Sequence, residues 1–208
     1  MLRFEPLLGV AALGSGIALL LALVFHAALG TLLVLAIILF STGLLFRLRT
    51  LDTEGRHALT RQIKAGLAAG VAATSAYDLG RMALVAAAHL QYDPFKTFPL
   101  FGWLMLGTGV SARAAWFAGT LYHVINGLSF SVAYCLLLGG RGWLWGVAFA
   151  LALEAAMMAV YPQWLTLKPL QDFLIGSLSG HILFGSTLGI VSQWMLTKRR
   201  AVLPEASQ

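Results

Sequence analysis

Residues 113–138 read RAAWFAGTLYHVINGLSFSVAYCLLL, residues 143–161 read WLWGVAFALALEAAMMAVY, and residues 173–196 read FLIGSLSGHILFGSTLGIVSQWML. Each run is near the ~20 apolar residues that cross about 30 Å of hydrocarbon. Each also carries a side chain that hydrocarbon rejects: His123, Glu154 and His181. A preceding apolar segment carries Asp78 and Arg81. Ionisable groups inside a bilayer cost several kcal/mol each, so they are usually retained for a task.

Working outward, the composition agrees. Of 208 residues, 59% are apolar and 11% charged, against roughly 25% charged in a soluble domain. The net charge of +6 is not that of a nucleic-acid binder, because the basic residues cluster at the ends of apolar runs. That pattern belongs to topology signals and contacts with anionic lipid. Cys135, the single cysteine, lies in an apolar run and cannot form an intrachain disulfide.

Six spans follow. Leu7–Phe25 reads as the first; its length and the apolar run that follows favour a retained span over a cleaved signal peptide. Gly30 marks a hairpin into a second span, Leu32–Phe46. The most charged piece, Arg47–Lys64, reads as a loop. The third span is about Ala65–Leu90 and opens on a small-residue ridge, Gly66 to Gly70, suited to close helix packing. Residues Gln91–Ala112 hold Pro94, Pro99 and many aromatics. Their apolar part, Leu100–Val110, is too short to cross and fits an interfacial or re-entrant segment. The remaining spans are Ala114–Leu138, Trp143–Tyr161 and Phe173–Leu196, with Gly139–Gly142 as a tight turn and Pro162–Asp172 as a loop.

The expected fold class is therefore all-α, a polytopic membrane bundle of six transmembrane helices with the interfacial segment between helices 3 and 4. Residues 1–200 form one membrane domain and residues 201–208 a mobile cytoplasmic tail. Six spans place Arg3, Arg47, Arg49, Arg56, Arg61, Lys64, Arg141, Lys198, Arg199 and Arg200 on one side. Lys96, Arg113 and Lys168 lie on the other. This bias puts both termini in the cytoplasm, with the plasma (inner) membrane as the location of a multi-pass protein.

Counting residues from the outer ends at 1.5 Å each places His123, Glu154, His181 and Arg81 roughly 10–14 Å deep, in one layer. Asp78 and Asn126 sit about one turn deeper. His123, Asn126, Gly127, Phe130 and Tyr134 share a helical stripe, as do Ser177, His181, Phe184 and Leu188. Asp78 and Arg81, three apart, can pair on their own helix. Glu154 has no charge partner on its span, so it is protonated, solvated by a cavity, or paired with Arg81 from another helix. Gly119, Gly127, Gly176, Gly180, Gly185 and Gly189 would let the fourth and sixth spans approach closely. Gly119-Thr-Leu-Tyr-His123 and Gly176-Ser-Leu-Ser-Gly-His181 form a faint internal echo, too short to define a repeat.

A single intramembrane histidine most often serves as a hydrogen bonder between helices. Several such groups in one layer favour a site instead. The leading expectation is proton-linked transport of a small solute or ion, with Asp78, Arg81, His123, Asn126, Glu154 and His181 as substrate-binding or proton-relay groups. One alternative is a membrane-embedded enzyme acting on a lipid-like substrate, metal-dependent if His123, Glu154 and His181 bind a transition metal. Haem between His123 and His181 is a lesser candidate. Another alternative is a scaffold or cofactor-holding subunit of a larger membrane complex. Beyond the lipid bilayer, a homodimer or a membrane-complex partner is the expected associate. Walker, dinucleotide, kinase and serine-nucleophile motifs are absent from the sequence.

Overall fold

A computed structural model describes residues 4–161 and 169–197. Every regular element among them is an α-helix: α1 (Phe4–Ala12), α2 (Gly14–Phe25), α3 (Leu29–Thr50), α4 (Thr53–Ala88), α5 (Thr97–Leu106), α6 (Ala112–Leu138), α7 (Trp143–Met158) and α8 (Leu170–Thr197). Residues 162–168 of the expected loop Pro162–Asp172, the basic cluster Lys198–Arg200 and the tail lie outside the described residues; the loop's last three residues, Leu170–Asp172, open α8 instead. Three helices, α3, α6 and α8, are each long and apolar enough to cross a membrane. The α1–α2 pair would make a fourth if its two bent halves count as one span.

The first apolar run is not the single straight helix expected. It bends by 53° between α1 and α2. The break falls at Leu13, immediately before Gly14-Ser15-Gly16, where helix propensity is low and kinks are common. Close packing also favours glycine there. A β-carbon at Gly14 would press on Ala36 of α3, and one at Gly16 on the Phe130 ring of α6. His26 closes α2 in the left-handed region at φ 53° and turns the chain into α3. Most of α3 faces outward, with Val34, Leu35, Ile37, Ile38 and Leu39 all exposed. A helix apolar all round, with Leu29 and Leu33 as its buried positions, suits contact with lipid tails.

A second correction concerns Arg47–Lys64. Most of this piece is helix: Arg47 and Arg49 close α3, and α4 begins at Thr53. The Asp52 carboxylate caps α4 by accepting the Gly55 N–H at 2.9 Å, and Glu54 adds a negative charge to the first turn. The intervening residues are good helix formers, so charge alone does not break the chain. With 36 residues, α4 is about 54 Å long.

The helix α4 lies between α6 and α8, and small residues set these contacts. Gly66 meets the Val132 backbone, Gly70 meets Leu128 and Ser131, and Gly127 meets Thr74, so α4 and α6 run antiparallel. On the other side, Gly180 of α8 packs on Tyr77 and Arg81 of α4. Each long histidine-bearing helix is also backed by a short one. Gly102 of α5 lies on the Ala115 backbone of α6, and Gly119 of α6 on the Phe98 backbone of α5. Gly185 and Gly189 of α8 close against Gly146 and Trp143 of α7.

The glycines of α6 and α8 were expected to join those two helices to each other. Instead they receive α4, α5 and α7. A glycine shows that a neighbour comes close, but its sequence position does not say which neighbour. The α6–α7 turn uses left-handed Gly139 and Gly140 and the extended, positive-φ Gly142. Tyr134 braces it by donating its hydroxyl to the Gly142 carbonyl at 3.0 Å.

Candidate functional site: a paired histidine–carboxylate cavity

Four helices deliver the ionisable side chains. On α7, Gly146, Ala150, Glu154 and Met157 form one buried stripe at helical spacing, so the glycine seam with α8 also aims Glu154 inward. On α8, the stripe of Ser177, Phe184 and Leu188 is buried, with His181 between them on the same face. On α4, the small-residue face of Ala69, Gly70, Ala73 and Thr74 continues into Tyr77 and Arg81. On α6, His123 lies one residue from buried Tyr122 and four from buried Gly127.

These stripes bring the groups together as two pairs. His123 Nε2 lies 3.1 Å from Asp78 Oδ2. His181 Nδ1 lies 3.2 Å from Glu154 Oε2 and 2.9 Å from the Ser177 carbonyl. A carbonyl only accepts, so the Ser177 contact places a hydrogen on His181 Nδ1. The Nε2 of that ring then carries the lone pair that takes up a further proton.

The Tyr77 ring is close to both imidazoles, with centroids 5.8 Å from His123 and 5.1 Å from His181. Phe98 of α5 covers His123 at 4.9 Å. Tyr77 was not singled out in the sequence. Its signal was its spacing: four residues before Arg81, beside Asp78, it falls on the same inward face.

Arg81 is only 4% exposed. It does not pair with Asp78 as its spacing suggested, because Asp78 turns toward α6. The Arg81 Nε–H donates to Tyr92 Oη at 2.9 Å, and its Nη2 donates to the Pro94 carbonyl at 2.6 Å. Its guanidinium also stacks 4.7 Å from the Tyr77 ring centroid. Arg81 therefore ties the segment between α4 and α5 to the bundle. The Gln91 N–H fastens that segment to α8 by donating to Asp172 at 2.7 Å. Burial raises the Tyr92 phenol above its ordinary range, against the pull of Arg81, so at neutral pH it remains a neutral hydroxyl.

Asn126 accepts a hydrogen bond from Ser15 of α2 at 2.8 Å, and the Tyr122 hydroxyl donates to the Ser15 carbonyl at 3.1 Å. Ser15 sits at the bend of the first apolar run, so that bend serves the site. Sequence reading passed it over because one serine in an apolar run carries no periodic signal.

His123, Asn126, Glu154, His181, Arg81 and Thr74 all line one cavity of about 90 Å³. Its walls are largely aromatic: Tyr77, Phe98, Phe101, Phe130, Phe173 and Phe184. Asp78 reaches the cavity through His123. Three buried oxygens have no hydrogen-bond partner among the described residues: Asp78 Oδ1, Glu154 Oε1 and Thr74 Oγ1. The three ligands suggested for a metal do not assemble. No group of three His, Cys, Asp or Glu side chains among the described residues could hold a metal ion, and each imidazole is bonded to its own carboxylate. Cys135 is fully buried, with burial in the α6 core leaving it a free thiol.

The class defined to this point is an all-helical protein whose apolar helices are compatible with a membrane protein, with a cavity lined by paired histidine and carboxylate groups. No protein family, curated protein or solved structure matches the chain.

Proposed function

We propose that the protein is a six-pass membrane protein with both termini in the cytoplasm, and that it couples movement of a small solute or ion to proton exchange. The six passes would be the bent α1–α2 pair, α3, the apolar half of α4, α6, α7 and α8, with α5 as the short segment folded against α6. The bias of Lys and Arg toward one side supports this orientation and a plasma-membrane location.

One observation carries the transport reading: two histidine–carboxylate pairs, drawn from four helices, serve one cavity. Titratable pairs of this kind inside a bilayer are typical of proton-linked pathways. With both imidazoles neutral and both carboxylates ionised, Arg81 offsets one negative charge and the site holds one in excess. Protonating both imidazoles turns that excess positive. A cavity whose charge reverses on taking up two protons binds a charged solute in one state and releases it in the other.

The test is flux in reconstituted vesicles loaded with a pH-sensitive dye. Under an imposed pH gradient, a panel of alkali-metal salts, organic acids and amines should include solutes that collapse the gradient through the wild-type protein. Glu154→Gln and Asp78→Asn should each slow that collapse more than tenfold. Wild-type flux in both variants, or modification of added lipid by the purified protein without any gradient, would overturn the proposal.

A further inference from the structure

We infer that the cavity binds a small organic cation of the alkylammonium kind, with Glu154 as its counter-charge. This inference rests on the transport reading for its physiological use, but not for its chemistry.

The first ground is an oxygen left over. Glu154 is 2% exposed. Its Oε2 is held by His181, while Oε1 has no hydrogen-bond partner among the described residues, on a residue that lines the cavity. Leaving a buried carboxylate oxygen unpaired is costly, so such an atom calls for a donor or a positive charge. The Thr74 hydroxyl, also buried and unpaired among the described residues, belongs to another residue of the cavity wall. The Asn126 carbonyl is already engaged by Ser15.

The second ground is the wall. Tyr77, Phe98, Phe101, Phe130 and Phe184 line the same cavity as Glu154 and Thr74. Hard metal cations want six or more oxygen ligands and zinc a tight set of nitrogen and sulfur donors; no group of three His, Cys, Asp or Glu side chains among the described residues is placed to hold a metal ion. Aromatic faces with one carboxylate suit an ammonium group carrying methyl or methylene substituents. Such a cation is attracted to the rings and sheds its water more readily than a metal ion does.

Arg81 does not occupy the free Glu154 oxygen, because its donors are turned to Tyr92 and Pro94; its charge offsets one of the two carboxylates and leaves one in excess. The ionisable groups facing Glu154 are His181 of α8, His123 of α6, Asp78, Arg81 and Tyr77 of α4, and Tyr122 and Tyr161 at the cavity edge. Among them, both imidazoles add positive charge to the site when they take up a proton. Protons and an organic cation would therefore compete for the same site.

The experiment is binding to the purified full-length protein in detergent, without a gradient. The probes are methylammonium, tetramethylammonium and, at matched ionic strength, sodium chloride. Calorimetry and thermal unfolding should show saturable binding of an ammonium probe and no response to sodium. Binding should weaken several-fold from pH 8 to pH 5.5. Glu154→Gln should weaken it more than tenfold. Should that variant fold poorly, Phe130→Leu keeps every charge and should weaken binding several-fold through loss of one ring face. An equal response to sodium, no saturable response to either ammonium probe, or unchanged affinity in both variants would overturn the inference. Ammonium binding without pH-driven flux would sink the transport reading alone. Proton-linked flux of another solute without ammonium binding would sink this one alone.

Discussion

Replacing His181 with alanine takes the one donor that holds Glu154 away from a carboxylate that is 2% exposed. Removing the hydrogen-bond donor from a buried carboxylate costs about 3 kcal/mol or more, because the remaining charge is left without a partner. The carboxyl has one escape, which is to take a proton. Doing so at pH 7 costs about 3.7 kcal/mol for a carboxyl of ordinary pKa 4.3, at about 1.4 kcal/mol per pH unit. The penalty from the charge is thus bounded near that value at pH 7 and near about 1 kcal/mol at pH 5. His181→Ala should accordingly lose ~3–4 kcal/mol at pH 7 and recover most of it as the pH falls. Glu154→Gln alone keeps an acceptor for the His181 Nδ1–H and should cost less than about 1.5 kcal/mol. The double variant should be more stable than His181→Ala at pH 7 by ~2 kcal/mol or more. The assay is equilibrium unfolding of the purified protein by dodecyl sulfate in mixed micelles, followed by tryptophan fluorescence at pH 5 and pH 7. A His181→Ala loss that is the same at both pH values, or a double variant no better than the single, would refute the reasoning.

Three further outcomes are expected. Gly185→Val would drive a side chain into the Gly146 carbonyl and Val147 backbone of α7, so it should destabilise the protein by at least ~1–3 kcal/mol and slow proton-linked flux by shifting Glu154; a lower midpoint in the same unfolding assay checks it. Arg81→Met removes two hydrogen bonds from a charged donor, to Tyr92 and Pro94, each worth about 1.5–3 kcal/mol, and limited proteolysis should show faster cleavage within residues 89–96. The buried Cys135 thiol should not react with maleimides in the folded protein, so cysteines introduced at Arg56 and Lys96 can be labelled on a silent background. An impermeant reagent added to intact cells should label the Lys96 position and spare the Arg56 position.

The sequence alone revealed the apolar helices, because lipid-length runs are a strong signal, and it revealed the inward groups, because ionisable side chains are rare in such runs. His123, Glu154 and His181 were legible for that reason. Their pairing was not. Asp78 and Arg81 look like partners at a spacing of three, yet Asp78 is drawn to His123 across the α4–α6 seam and Arg81 to the segment after its own helix. Local spacing shows which contacts a helix permits, while the neighbouring helix decides which is made. The glycines misled in the same way, since each marks a close approach without naming the approaching helix. Tyr77 and Ser15 were passed over because neither residue type is unusual in a membrane helix. The bend at Leu13 was hidden because an apolar count of the first run does not weigh the glycines beside it.

The brevity of α7 has a consequence for the surrounding lipid. Its 16 residues rise about 24 Å, less than the ~30 Å of an ordinary hydrocarbon layer. If α7 crosses the membrane as proposed, the bilayer beside it would dimple, or the flanking aromatic rings would anchor deeper, each at fractions of a kcal/mol per Å of mismatch. Vesicles made from shorter acyl chains would relieve that tension, so chain length becomes a dial on the activity of the reconstituted protein.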